Sequence, residues 1–274
     1  MRKLLVYTLA IIFVVITANY CYVGMGLYDQ DIVKCNAELL YKIDSSALDN
    51  DILYLGESSN FTTSEKDSCK KSISELVNEF NPNLKVLTIS KGAIHAATFN
   101  LFIKRIKEES AIKTIIVTVN LRSFGINWIE SDLETNLSRA NILYSNKPPL
   151  LKKFLLSFKA YDNQELFKRK ETIRWHYKND KFKLSTLSYE TVRDWDKEVF
   201  NKGVLDQNGN KDGEQTNVAC HFIKNYAFKI DEKNPRIKDL DEIVSYCKKR
   251  GFNLVFNLLP ENYERATKLC GKDL

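Results

Sequence analysis

The sequence predicts an α/β domain with a parallel sheet, an N-terminal membrane-spanning helix and a large, mostly helical insertion. Three observations predict it. No charged residue occurs between Lys3 and Asp29. Short apolar runs alternate with helically spaced stretches from about residue 50 to 119, and again from 234 to 259. Between them, residues 121–234 are rich in Lys, Tyr, Phe and Trp and carry no sheet rhythm. With 44% hydrophobic and 28% charged residues, and only 15 Gly and Pro among 274 residues, disordered, collagen-like and low-complexity classes are excluded. The 41 Lys and Arg exceed the 35 Asp and Glu by only six, too few to point to a nucleic-acid partner.

Leu4 to Tyr22 reads LLVYTLAIIFVVITANYCY, and about 20 mostly apolar residues cross a bilayer core. Residues 4–24 are therefore expected to anchor the chain in a membrane. Arg2 and Lys3 precede the span, and Asp29 and Asp31 follow it. This asymmetry places the N-terminus in the cytoplasm and the body outside it, in a periplasm or at the cell surface. A cleaved signal peptide is the rival reading, but Ala18-Asn19-Tyr20 before Cys21 makes neither an A-x-A site nor a good lipobox. Residues 25–49 read as a neck, and 50–274 as the domain.

Within the domain, Ile52–Leu55 forms a strand ending at Gly56. Thr63 or Ser64 caps a helix to about Phe80, with Ile73, Leu76, Val77 and Phe80 on one face. Leu84–Ile89 is the second strand, and Ala93 to about Glu109 the second helix. Thr114–Val119 is the third strand. After the insertion, Asn234-Pro235 opens a helix that turns Ile237, Leu240, Ile243, Val244 and Cys247 inward and stops at Gly251, and Phe252–Leu259 is the fourth strand. This β-α-β order implies right-handed crossovers and a flavodoxin-like, three-layer α/β/α arrangement. Six cysteines without C-x-x-C spacing predict no metal site, and leave any disulfide pairing open. No cofactor is expected.

In an open parallel sheet, ligands bind beyond the carboxyl ends of the strands. The residues there are Gly56-Glu57-Ser58-Ser59-Asn60, Ser90-Lys91-Gly92, Asn120 and Pro260-Glu261-Asn262. A serine at a glycine-containing strand-to-helix turn can present its hydroxyl above the sheet, while the Gly92 N–H and the Asn120 amide can cradle a developing oxyanion. This set, in this order, resembles the SGNH (GDSL-like) hydrolase superfamily over about residues 50 to 262, the insertion unmatched. The resemblance implies that Ser58 is the nucleophile, that its own N–H, Gly92 and Asn120 form the oxyanion hole, and that Gly56 and Glu57 support the turn. It also implies an ester hydrolase or O-acyltransferase acting on acyl groups of a cell-surface glycan or lipid.

The sequence departs from the family at Glu57, where the family has Asp, and at Thr118-Val119-Asn120-Leu121, where it has Gly-x-Asn-Asp. The family's closing Asp-x-x-His, the base of the serine, is not among these 274 residues. None of His95, His176 and His221 follows an Asp by three positions. The expectation is an incomplete or divergent member with little or no turnover, the alternative a non-catalytic glycan- or membrane-binding protein. A weaker third reading is an unrelated doubly wound domain binding a phosphate at the Ser58 turn.

Other features read as structural. Asp206 to Gly213 alternates oxygen-bearing residues, but Lys211 and Asn217 stand where a calcium loop needs Gly and Glu, so two turns are expected. Between Lys147 and Lys183, 11 basic and 4 acidic residues interleave with aromatics, as in a solvated helix face or one near an anionic membrane surface or acidic glycan. Asn60-Phe-Thr62 and Asn136-Leu-Ser138 fit the glycosylation pattern.

Overall fold

Runs too short for a buried helix, rich in Ile, Leu and Val, become four parallel strands in the computed structural model. It describes residues 2–35, 37–92, 94–130, 139–160, 163–181 and 189–271. The strands are β1 (Ile52–Gly56), β2 (Val86–Ser90), β3 (Thr114–Val119) and, after a small hairpin of β4 (Val204–Leu205) and β5 (Lys211–Asp212), β6 (Asn253–Leu258). Their order is β2-β1-β3-β6. The register sets Gly56 beside Ser90, and Val119 beside Leu258.

The helices with both ends among the described residues are α1 (Arg2–Gly24), α2 (Leu27–Lys34), α3 (Glu38–Ser46), α4 (Ile73–Phe80), α5 (Ala96–Lys104), α6 (Ile126–Ile129), α7 (Pro149–Ala160), α8 (Asn163–Asn179), α9 (Val192–Lys202), α10 (Gly213–Tyr226), α11 (Pro235–Arg250) and α12 (Tyr263–Cys270). Alternate residues of the strands, Leu53, Leu55, Leu87, Ile89, Ile115 and Val117, join one core with Phe99, Phe102 and Ile103 of α5 and Ile243 and Cys247 of α11. Each such side chain contributes roughly 1.5–3 kcal/mol when fully buried. Leu40 and Ile43 of α3 belong to the same core, as does Ile32 of α2, so the expected neck contributes to the domain and α3 packs against the sheet. By contrast, α1 is long and apolar enough to cross a membrane, and among its described residues Tyr22 alone, near its end, is buried.

Several boundaries differ from the sequence expectations. The first crossover helix starts at Ile73, because Ser72 and Glu75 form a reciprocal capping box and Asn60 holds Ser74 through Nδ2···Oγ (3.0 Å) and N···Oδ1 (2.9 Å). Thr63 and Ser64 lie in the irregular segment before it. Phe80, at its end, is 79% exposed. The second helix starts at Ala96 with an extended His95 at its N-cap, and ends at Lys104. The second strand starts at Val86, since Leu84 N–H closes a turn onto Asn81 O. Val244 faces solvent, whereas Arg236 of the same helix is buried.

The Asp206 segment is one hairpin turn, Asp206 Oδ1 accepting from the N–H groups of Asn208 and Asn210. In place of the expected second turn, Asp212 caps α10 by accepting from Gln215 N–H. Asn60 is buried with its amide engaged, and Asn136 lies outside the described residues. All six cysteines are free thiols.

Candidate functional site

Because β2 and β3 flank β1, the chain leaves β1 toward one edge of the sheet and leaves β3 toward the other. The connections diverge, and a crevice opens at the carboxyl ends of β1 and β3. Glu57 and Ser58 occupy one wall, and Asn120 the other.

Gly56 is required by close approach: a Cβ there would lie 2.8 Å from Tyr54 Cε1 and 3.0 Å from Ser90 Oγ. Ser90 Oγ donates to Glu57 O at 2.9 Å, tying the end of β2 to the turn. Glu57 is only 6% exposed. Its Oε1 accepts from Asn120 Nδ2 at 2.5 Å and from Ser59 Oγ at 3.2 Å. Asn120 Oδ1 in turn accepts Arg122 N–H at 3.0 Å, capping the 3-10 turn Leu121–Phe124. One amide thus joins the β1 turn to the β3 turn. An amide NH₂ carries two donors, and among the described residues Glu57 alone takes one from Asn120.

Ser58 begins the 3-10 turn Ser58–Asn60 and is exposed. A Cβ built on Gly92 would lie 3.9 Å from Ser58 Cβ, so the turn after β2 reaches the serine. Gly56, Glu57, Ser58, Gly92 and Asn120 are therefore brought together. Among the described residues, Ser58 Oγ has no hydrogen-bond partner.

The histidines are not brought to it. His95 is 3% exposed, its ring edge-on to Trp128 at 5.3 Å, and its Nε2 has no partner among the described residues. It lines a void of about 10 Å³ with Glu57, Thr118, Asn120, Ser123 and Arg236, beneath the crevice; this is space for about one water. Burial, and then the charges of Arg236 and Arg122, push the imidazole down to about 3, so it is neutral at pH 7. His176, in the last turn of α8, pairs with Asp180 just beyond it, and His221 is exposed on α10.

Three residues that motif reasoning passes over complete the surroundings. Arg122 stands 5.7 Å from the Trp128 ring. Arg236 donates from Nε to Ser123 O at 3.0 Å. Tyr226 of α10 donates to Glu261 Oε2 at 2.8 Å, bringing the segment after β6 to the crevice. Burial, and then Glu261, push the Tyr226 phenol upward, partly offset by Arg122. Glu261 was legible as a strand-end residue; Tyr226 carries no sequence signal. Beside Phe124 a groove of about 890 Å³ opens between α6, α8 and the segment Ala227–Pro235, lined by Ile129, Tyr177, Lys224 and Phe228. Among the described residues, no group of three or more His, Cys, Asp or Glu is placed to hold a metal ion. No family model, curated protein or solved structure matches the chain.

Proposed function

We propose that the chain is a membrane-anchored, SGNH-like ester hydrolase or O-acyltransferase acting on acyl groups of a cell-surface glycan or lipid. The observation that carries this reading is the meeting of Ser58, Gly92 and the Glu57-anchored Asn120 at the ends of three neighbouring parallel strands. The strand order, with β2 and β3 flanking β1, fits a flavodoxin-like α/β/α fold. The apolar α1 with Arg2 and Lys3 in its first turn supports anchoring with the body outside the cytoplasm.

In this reading the acyl carbonyl oxygen rests on the N–H groups of Ser58 and Gly92 and the second Asn120 Nδ2 hydrogen, and Ser58 Oγ faces the carbonyl carbon. Glu57 aims the amide, and the groove beside Phe124 takes the glycan or lipid portion. Serine attack needs a base, and losing one removes several orders of magnitude in rate. Among the described residues no base reaches Ser58 Oγ. That observation favours the second reading, a non-catalytic member that binds the acylated glycan or lipid.

The test uses the full chain in detergent with p-nitrophenyl acetate and with O-acetylated xylan. Slow nitrophenolate release with acetyl trapped on the Ser58 peptide, abolished in Ser58→Ala, supports the enzyme. Xylan binding that is lost in Asn120→Ala, without Ser58-dependent acetylation, selects the binding protein. Turnover and binding unchanged in both variants would discard this site.

A further inference from the structure

The basic, aromatic segment after the third strand does not behave as a uniformly solvated face. α7 reads PLLKKFLLSFKA, and two of its residues point inward. Lys152 is 7% exposed and donates to Tyr28 Oη at 2.9 Å, and Leu156 enters the main core. The helix is also fastened to the end of α1. Leu150 N–H donates to Asn19 Oδ1 at 2.9 Å. Lys153 Nζ lies 2.6 Å from Asp31 Oδ2, which also accepts from Tyr22 Oη at 2.7 Å. Burial pushes the Asp31 carboxyl up, but Lys153 and Tyr22 more than offset it and hold it below its ordinary value.

This attachment fixes where α7 stands relative to α1. At 1.5 Å per residue, Asn19 lies about 24 Å along the helix from Lys3, against a hydrocarbon core about 30 Å thick. The start of α7 is therefore level with the last turns of α1, where Tyr20 is 74% exposed and Tyr22 is covered. The side of α7 that faces neither the core nor α2 carries Leu151 (43% exposed), Phe154 (56%) and Phe158 (62%). Their i, i+3, i+7 spacing makes one stripe, and the two phenyl rings pack edge-on at 4.7 Å. An apolar stripe this exposed, continuous with the bare apolar surface of α1, belongs against lipid.

We propose that α7 is an interfacial helix, seating Leu151, Phe154 and Phe158 in the headgroup–acyl boundary of the bilayer that α1 crosses, with Lys153 at headgroup level. The inference rests on the membrane-spanning reading of α1. Its consequence is a fixed geometry, because Tyr28 and Leu156 join α7 to the core that carries the crevice. An acidic glycan is the weaker occupant, since the exposed stripe is aromatic and aliphatic.

The test places a nitroxide on Phe154→Cys or Phe158→Cys, and as a reference on Leu9→Cys, in the full chain with Cys21 and Cys69 replaced by Ser. The chains are reconstituted in phosphatidylcholine vesicles with and without phosphatidylglycerol, and collisions with oxygen and a water-soluble nickel chelate are compared. The expected result is oxygen-dominated relaxation at 154 and 158, shallower than at residue 9, in both lipid mixtures. Nickel-dominated relaxation at 154 and 158 with a lipid-deep residue 9 would overturn the interfacial helix alone. A nickel-accessible residue 9 would remove the span and this inference together. Immobilisation of the 154 label by added polygalacturonate, with no lipid signature, would assign the stripe to a glycan instead.

Discussion

Replacing Asn120 by Asp sets two carboxyl groups where an amide and a carboxylate now meet, and the cost follows from their burial. Both residues are 6% exposed, and the contact is 2.5 Å. Two charges at that distance repel by about 7 kcal/mol at an effective dielectric of 20. Holding one shared proton at pH 7, against unfolded values near 4, costs about 4 kcal/mol. The shared proton wins, so one carboxyl of the folded variant titrates well above its unfolded value. A raised folded pKa confers stability that is complete below about pH 4 and lost as pH rises toward the folded value. Asn120→Asp should therefore lose about 4 kcal/mol between pH 4 and 7 relative to the parent chain. Asn120→Ala loses only the bond to the buried Glu57 carboxyl group, about 1.5–3 kcal/mol, without setting a second carboxyl beside it. Urea unfolding of the full chain in detergent at a series of pH values measures both. An Asn120→Asp profile parallel to the parent would refute the Glu57–Asn120 contact and the site built on it.

Two other outcomes follow from burial and exposure. With His95 pushed down to about 3, the folded chain refuses a proton that the unfolded chain takes up near 6.5; stability is thus intact above pH 6.5 and drains away as pH falls toward 3. His95→Phe removes that drain and should lower the acid-unfolding midpoint, followed by circular dichroism; an unmoved midpoint would show that the imidazole is solvated. Among the described residues β6 has a strand neighbour on one side only, and Val255, Phe256 and Leu258 are 47%, 42% and 62% exposed. The purified chain should self-associate with rising concentration and Val255→Lys should reduce this, as read by sedimentation velocity; equal association in both would exonerate the edge.

The first three strands of the sheet were legible because each is an apolar run closed by a residue that breaks it: Gly56 at the end of β1, Gly92 two residues after β2, Asn120 after β3. Those same breakers form the crevice, so the site's membership could be read along with the sheet. Helix starts were less legible. Ser64 and Ser72 can both cap, and the Ser72–Glu75 capping box, reinforced by the tertiary bond from Asn60 to Ser74, decides between them. Gly92 looks like a helix opening, yet Gly92 lies in a turn and the helix starts only at Ala96, after an extended His95. Burial of charge was illegible: Arg236 follows a helix-initiating proline and reads as surface, but its guanidinium satisfies the carbonyls of Ser123 and Trp128. Lys152 likewise sits in a basic run while its ammonium is spent on Tyr28. No local pattern encodes such bonds, because their partners lie more than 100 residues away in the chain.

The buried Asn60 bears on how the protein can be produced. Asn60-Phe-Thr62 is a substrate for oligosaccharide transfer only while the chain is unfolded, since the finished structure encloses the amide against Ser74. A sugar attached there leaves no room for α4 to dock, so glycan transfer and completion of this fold exclude each other. In a eukaryotic secretory host, enzyme and folding would race for the same nitrogen. Chains that lose would be retained as glycosylated, misfolded material, whereas a host lacking the transferase would deliver only the folded form.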